Sequence, residues 1–416
     1  MSACSWKKFD ETKGSQVVTS SPERHRVKQI REYNCCESAI VQFAHRHRLQ
    51  GTGVLSEMSQ APSTVSASCS LCHRTSPTIC RAIGLCGECL RAHWPAVRPH
   101  VETVQAESRA EFDLPLRPPR NPQGVRCVLC SNECVMGEGE RGYCGLRTVR
   151  VGKLVHLAGT PERGLLHWYR DPLPTNCVAD WVCQGSQHRG CHNLAVFYAS
   201  CTANCLFCQN WDFRQVSPAK SETISARELA EAANSRTFCV CYFGGDPASQ
   251  MPHALAASRY LAECGVRVCW ETNGTLHPKL LDAAVQYSLD TGGCVKFDLK
   301  AFDEGLHVAL TGISNQRTLD NFARAAGRYD ERPHLPLVIA STLLVPGYIH
   351  AREVSQIAQF IAALDPRIPY ALLAFAPHFY MSDLPCTSLR HAEEAEAAAR
   401  AAGLVNVRVG NRHLLR

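Results

Sequence analysis

From Asn193 onward the chain repeats one alternation six times, a short apolar run followed by an amphipathic helical pattern. The pairs are NLAVFYAS with ISARELAEAANS, TFCVCYFGG with HALAASRYLAECG, and VRVCWETNG with PKLLDAAVQYS. They continue as CVKFDLKAF with TLDNFARAAGRYD, PLVIASTLLVPG with AREVSQIAQFIAALD, and IPYALLAFAPH with RHAEEAEAAARAAG, and VNVRVG closes the series. Strands that are apolar on both faces need cover on both, so strand–helix alternation predicts a parallel sheet of βα units. Six units suit an α/β fold of the partial (β/α)6 TIM-type barrel kind better than the eight units of a closed barrel. In such folds chemistry gathers at the carboxyl ends of the strands, and functional residues are expected there.

The first of those strand ends runs into ASCTANCLFCQNW, which places Cys201, Cys205 and Cys208 in a C-x3-C-x2-C spacing. The whole chain holds 24 cysteines in 416 residues, yet Lys7 and Lys8 are followed by no apolar stretch of the kind a secretory leader needs. A large chain without an export signal is expected in the reducing cytoplasm, where dense cysteine means metal or cluster ligation rather than disulfides. No apolar run approaches the ~20 residues of a membrane span, so no membrane partner is expected. The formal net charge is +6, its excess lies towards the N-terminus, and no basic stripe is interleaved with aromatics. No nucleic-acid partner is expected on that basis. Three thiolates on one loop bind three corners of an iron–sulfur cubane and leave the fourth iron open to a substrate or cofactor.

That loop resembles the signature of the radical S-adenosylmethionine (SAM) superfamily. The resemblance implies a [4Fe-4S] cluster on Cys201, Cys205 and Cys208 whose open iron takes the amine and carboxylate of SAM. Reduction then breaks the sulfonium to methionine and a 5′-deoxyadenosyl radical, which abstracts a hydrogen atom from a substrate. The motif YFGGDP resembles the family's GGEP motif, whose backbone meets the SAM amino group; it supplies Gly244, Gly245 and Asp246, with Asp where Glu is usual. ETNG (Glu271, Thr272, Asn273, Gly274) and DLK (Asp298, Lys300) resemble the pyruvate formate-lyase activating enzyme group. There the matching positions contact the cofactor's carboxylate or an associated cation. His378, in FAPH, stands near a histidine that reaches the cofactor in those enzymes. GERGYCGLR, NCVADWVC with NLAVF, and VPGY with APHFYMSDLP and VRVGN narrow the resemblance to the branch typified by the radical enzyme of the AmmeMemoRadiSam system, over about residues 125–413. The gap between WVC and NLAVF is shorter than that branch has, which bears on any loop covering the substrate.

The remaining cysteines fall into sets. Cys69/Cys72 and Cys86/Cys89, with thirteen residues between the pairs, form a zinc-ribbon-like spacing with Cys80 left over. Cys127, Cys130, Cys134 and Cys144 suit zinc, a rubredoxin-like iron, or a second cluster. Cys177, Cys183 and Cys191, with His188 and His192 nearby, admit a further metal, redox thiols, or a structural role. Cys239, Cys241, Cys264, Cys269 and Cys294 lie in apolar runs and are expected as core. The organisation predicted is a poorly ordered segment over 1–66, a zinc module over 67–95, a proline-bearing linker over 96–124, a cysteine-rich extension over 125–192 and the barrel over 193–416.

The function expected is that of a radical SAM enzyme, with a flavodoxin- or ferredoxin-like reductant and a protein or small-molecule substrate, a glycyl radical enzyme among the candidates. The alternative is a non-catalytic multi-zinc adaptor, which would have no need of GGD, ETNG and DLK at successive strand ends. A ferredoxin-like electron carrier is disfavoured because the loop offers three cysteines rather than four.

Overall fold

The computed structural model describes residues 66–175 and 177–416, so the segment expected to be poorly ordered lies outside the described residues but for its last. The described chain begins with a hairpin of β1 (Ala67–Ser68) and β2 (Thr75–Ser76), then α1 (Gly87–Ala92) and α2 (Trp94–Ala110). Most of α2 falls in the span read as linker. Its buried Val97, Val101 and Val104 keep a helical period that Pro95 and Pro99 obscure in the sequence. Two further hairpins follow, β3 (Val125–Arg126) with β4 (Val135–Met136) and β5 (Arg147–Arg150) with β6 (Lys153–His156).

The main sheet comprises β7 (Leu166–Pro172), β8 (His192–Tyr198), β9 (Thr237–Tyr242), β10 (Arg267–Thr272), β11 (Val295–Asp298), β12 (Val338–Leu344), β13 (Tyr370–Ala374) and β14 (Val407–Gly410). Between them run α3 (Ala226–Glu231), α4 (Met251–Glu263), α5 (Pro278–Thr291), α6 (Glu304–Thr311), α7 (Gln316–Ala326), α8 (Ala351–Leu364) and α9 (Leu389–Ala401). All six βα units expected from the sequence are present, the fourth with α6 as an additional helix. Some of the helices start on side-chain caps. Ser225 and Glu228 form a capping box for α3, and the Asp303 side chain accepts from Leu306 N at the start of α6.

Strands β8 to β14 are parallel and lie in chain order, while β7 pairs antiparallel with β8 at the edge. Right-handed crossovers between sequential parallel strands set the connecting helices on one face of the sheet. The two faces differ accordingly. Val240, Tyr242, Val268, Trp270 and Phe297 join the helices in the main core. Cys239, Cys241, Cys269, Cys294 and Ile339 face the other way and form a separate buried group. Among the described residues no helix is long and apolar enough to cross a membrane.

Candidate active site and metal centres

The cysteine loop leaves the carboxyl end of β8 and is fixed by backbone bonds to α6: Asn204 N donates to Thr311 O at 2.7 Å and Leu206 N to Leu310 O at 3.0 Å. Its side chains are held as well. Asn204 Nδ2 donates to Gln105 Oε1 at 2.8 Å and Ser108 Oγ at 2.7 Å, tying the loop to α2. Cys205 is buried, whereas Cys201 and Cys208 are half-buried. Burial pushes the Cys201 thiol well above the ordinary cysteine range, with Asp246 adding to it. Burial also pushes Cys205 up to about 11, against the opposing pull of Lys300. Buried thiols with such values keep their protons until a metal takes their place.

Gly244 and Gly245 come to the same strand end with φ of +72° and +55°. A Cβ on Gly244 would stand 1.8 Å from the Phe197 ring, and one on Gly245 only 1.9 Å from Tyr198 O and 2.5 Å from Ser200 O. The glycines therefore let the second strand end lie against the first, directly before Cys201, a reason within the protein itself. Asp246 completes the junction. Its backbone N–H donates to Ser200 O at 3.0 Å, and its carboxylate accepts from Ala248 N and Asn273 N, both at 2.7 Å, and from Thr272 Oγ1 at 3.2 Å. Burial lifts the carboxyl to about 6 even so, because the surrounding donors offset desolvation only in part. The carboxylate read from the sequence as cofactor-binding thus has its described bonds to the β9 and β10 ends.

Thr272 serves that same junction, and Asn273 reaches the loop, its Nδ2 donating to Thr202 Oγ1 at 2.9 Å and lying 3.7 Å from Cys201 Sγ. Glu271 pairs with Lys296 Nζ at 3.1 Å, a partner the sequence reading did not single out. At the next strand end Asp298 Oδ2 and Lys300 Nζ form an ion pair, while Asp298 Oδ1 is buried with no partner among the described residues. Burial works against the Lys300 charge, but Asp298 and the Cys205 and Cys201 sulfurs outweigh it and hold its pKa above the usual lysine range. His378 Nδ1 approaches Pro377 O, and burial lowers the ring's pKa. The adjoining residues hold the loop: Tyr380 N donates to Leu206 O at 3.0 Å, and Phe379 stacks on Trp211 with centroids 5.6 Å apart. Arg214, which sequence reasoning missed, is buried between Asn204 Oδ1 at 3.3 Å and the Phe379 ring at 4.8 Å. Only the aromatic character of the loop signalled that neighbourhood.

The other cysteine sets differ in compactness. Among the described residues Cys69, Cys72, Cys86 and Cys89 are the one group of three or more ligand side chains whose donor atoms all fall within 4.8 Å. Cys72 Sγ and Cys86 Sγ are 3.8 Å apart, the edge of a tetrahedron built on zinc–sulfur bonds of ~2.3 Å. Cys80, left over in the spacing, is fully buried and donates to Tyr380 O at 3.3 Å. Cys127, Cys130, Cys134 and Cys144 line one small pocket together with Asn132 and Arg147. Like Cys201, Cys205 and Cys208, they are set wider than a single ion requires, which fits a polynuclear centre. This second set is stitched to the first, since Ser200 Oγ donates to Cys144 O at 2.8 Å and Asn132 Nδ2 to Thr202 O at 2.7 Å.

The two histidines near Cys183 and Cys191 turn elsewhere. His188 packs on Phe238 with centroids 4.2 Å apart, and His192 Nε2 bonds Thr237 Oγ1 at 2.7 Å.

Residues 195–360 match the family model described as the Radical SAM superfamily. The chain is 26% identical over 305 residues to an uncharacterised protein of Methanocaldococcus jannaschii, covering 69% of this chain and 81% of that one. It is 32% identical over 133 residues to the isethionate sulfite-lyase activating enzyme of Desulfovibrio desulfuricans, covering 32% of this chain and 40% of the enzyme. It is 28% identical over 158 residues to the pyruvate formate-lyase 1-activating enzyme of Escherichia coli, covering 36% and 61%. The match thus spans less than two thirds of either activating enzyme.

Proposed function

From a chain that carries a radical SAM domain of the pyruvate formate-lyase activating enzyme-like branch, and is an enzyme of that class, we propose that Cys201, Cys205 and Cys208 hold a [4Fe-4S] cluster with SAM on its open iron. The observation that carries this reading is the convergence of the Gly244–Gly245 turn, Asn273 and the Asp298–Lys300 pair on a loop with three widely set thiols. The sheet is read as a partial (β/α)6 barrel with the site at its open end, a winding supported by the sequential strand order. The bound group supplies reductive cleavage of SAM to a 5′-deoxyadenosyl radical that abstracts hydrogen from the substrate.

The chain's own residues do the rest. Lys300, kept charged by Asp298, presents an ammonium to the cofactor's carboxylate. Asp298 Oδ1 is available to a cation or to the substrate. Asn273 orients Cys201 through its amide, while its own backbone N–H is fixed by Asp246. Phe379, Trp211 and Arg214 pack beside the loop and keep water from it. Cys127, Cys130, Cys134 and Cys144 are read as a second iron–sulfur cluster, supported by their spread around one pocket, and Cys69, Cys72, Cys86 and Cys89 as a zinc site. A flavodoxin- or ferredoxin-like protein is the proposed reductant, and a protein, with a glycyl radical enzyme first among candidates, the proposed substrate. Low-temperature electron paramagnetic resonance tests the reading. The dithionite-reduced protein is expected to change its cluster signal on addition of SAM, and a Cys205→Ala variant to show no such change. An identical response from both would sink the proposal.

A further inference from the structure

An arginine taken out of water almost always has an anion beside it. Three arginines are buried among the described residues: Arg109 at 2%, Arg147 at 1% and Arg214 at 5% exposed. None of the three forms an ion pair with a carboxylate among those residues. All three lie against the two larger cysteine sets. Arg109, on α2, donates through Nε to Pro115 O at 2.6 Å and through Nη2 to Tyr143 O at 2.5 Å. Its guanidinium stands 3.5 Å from the centre of the Tyr143 ring, one residue before Cys144. Arg147 donates to Leu146 O, Ala158 O and Ser249 O, each at 2.9 Å, and lines the pocket of Cys127, Cys130, Cys134 and Cys144. Its Nε is buried with no partner among the described residues. Arg214 reaches Asn204 Oδ1 at 3.3 Å from both Nε and Nη2, and Trp211 O at 3.4 Å from Nη1. Asn204 stands between the first and second cysteines of the Cys201 loop.

Every one of these acceptors is a neutral carbonyl or amide oxygen. Such bonds satisfy donors and leave the charge unanswered. Burial works against the Arg109 cation, Tyr143, Cys144 and Cys201 act in its favour, and Arg214 opposes it. Arginine does not escape by shedding its proton. The missing negative charge arises when the neighbouring thiols release their protons to a metal and become thiolates.

We propose that Arg109 and Arg214 are the counter-charges of the cluster on Cys201, Cys205 and Cys208 and ease its reduction, with Arg147 in the same relation to metal held by the Cys127 set. The inference rests on the [4Fe-4S] reading of the Cys201 loop. These are positioning residues, since none is asked to touch SAM or the reacting atoms. One-electron reduction adds a negative charge to the cluster, and a cation fixed nearby in a poorly screening interior favours the reduced form. At an effective dielectric of ~20, a unit charge ~10 Å away is worth about a tenfold change in the ratio of reduced to oxidised cluster. For one electron that is ~59 mV. Lys300 supplies less of this effect, because Asp298 already matches its charge.

The test is a redox titration of the full chain reconstituted anaerobically, followed by the paramagnetic signal that SAM alters. Arg109→Gln and Arg214→Gln are each expected to hold the wild-type iron and to be reduced about tenfold less at a fixed potential. Arg109→Lys and Arg214→Lys keep the charge and are expected to titrate close to wild type. Arg324→Gln removes an exposed arginine paired with Asp282 and is expected to change nothing. If Arg109→Gln sheds the cluster, Arg214→Gln decides, because glutamine can still donate to Asn204. Glutamine variants that shed iron while the lysine variants hold it uphold the inference; lysine variants that shed it too make the arginines structural and overturn it. Unchanged midpoints in both glutamine variants also overturn it. For the Cys127 set, Arg147→Gln is expected to lose metal that Arg147→Lys retains, and equal metal in the two removes Arg147 from the account. Wild type without a SAM-responsive signal sinks the cluster reading itself, and that outcome is seen before any variant is compared.

Discussion

Gly245→Ala is the sharpest perturbation of the junction that positions the cysteine loop. At φ of +55° an alanine costs about 1–2 kcal/mol, because Cβ crowds the following carbonyl in the left-handed region. Its Cβ would lie 1.9 Å from Tyr198 O and 2.5 Å from Ser200 O. Carbon and oxygen rest at about 3.3 Å, so the chain before Cys201 would have to retreat by more than ~1 Å. Overpacking of that degree adds about 1–3 kcal/mol, and loss of the Asp246 N–Ser200 O bond about 1 more. The sum is about 3–6 kcal/mol, concentrated on the residue next to the first cysteine. Gly265→Ala is the matched control, with φ of +75° but nothing within 4 Å of the new Cβ, so only the backbone cost of about 1–2 kcal/mol remains. The assay is iron per chain after anaerobic reconstitution, read beside denaturant unfolding. Gly245→Ala is expected to lose iron from the Cys201 loop and to unfold earlier than Gly265→Ala. If the two variants unfold alike and both hold the wild-type iron, the junction does not position the loop and the reasoning fails.

Asp246 gives a pH prediction. Its folded pKa of about 6 lies above the unfolded value of 3.8, so the folded state holds the proton longer. The group therefore removes stability as pH rises from 3.8 through 6, by about 3 kcal/mol at pH 7 for a shift of ~2 units. Urea unfolding of wild type and Asp246→Asn at pH 5 and pH 7.5 is expected to show a stability difference between the two proteins that changes with pH; a constant difference counts against it. Lys300→Met is expected to raise the SAM concentration for half-maximal turnover at least tenfold while iron content stays constant, and a variant that loses iron instead would make Lys300 a structural residue. Cys86→Ser is expected to lose one zinc and no iron by metal analysis. It should also loosen the contact in which Tyr348 OH accepts from Cys80 N and donates to Leu85 O, both at 3.0 Å, lowering the melting temperature.

The six βα units and the cysteine loop were legible because each rests on local signals: apolar runs, helical period and thiol spacing. What escaped the sequence was settled by packing. Strand β7 has one buried residue, Leu166, and ends on Pro172, so its own pattern announces no strand, and its pairing with β8 supplies the bonds. The helix α2 hides behind Pro95 and Pro99 although its valines keep period. Asp246 was legible as a site residue but not as the joint between two strand ends, because its partners Ala248, Thr272 and Asn273 meet only in the fold. Lys296 stood in a strand of apolar neighbours, and nothing in VKFD revealed that it faces thiols from two other elements. The inward cysteines read correctly as buried. That they pack against one another follows from the register of adjacent strands and the segment between β7 and β8.

Cys201, Cys205 and Cys208 are proposed to hold the cluster at which SAM is cleaved. Full-length protein reconstituted anaerobically, given a strong reductant and SAM, is predicted to form 5′-deoxyadenosine and methionine in equal amounts by liquid chromatography, and Cys205→Ala to form neither. Wild-type protein that carries its iron yet yields no 5′-deoxyadenosine, or a Cys205→Ala variant that yields as much as wild type, would contradict it.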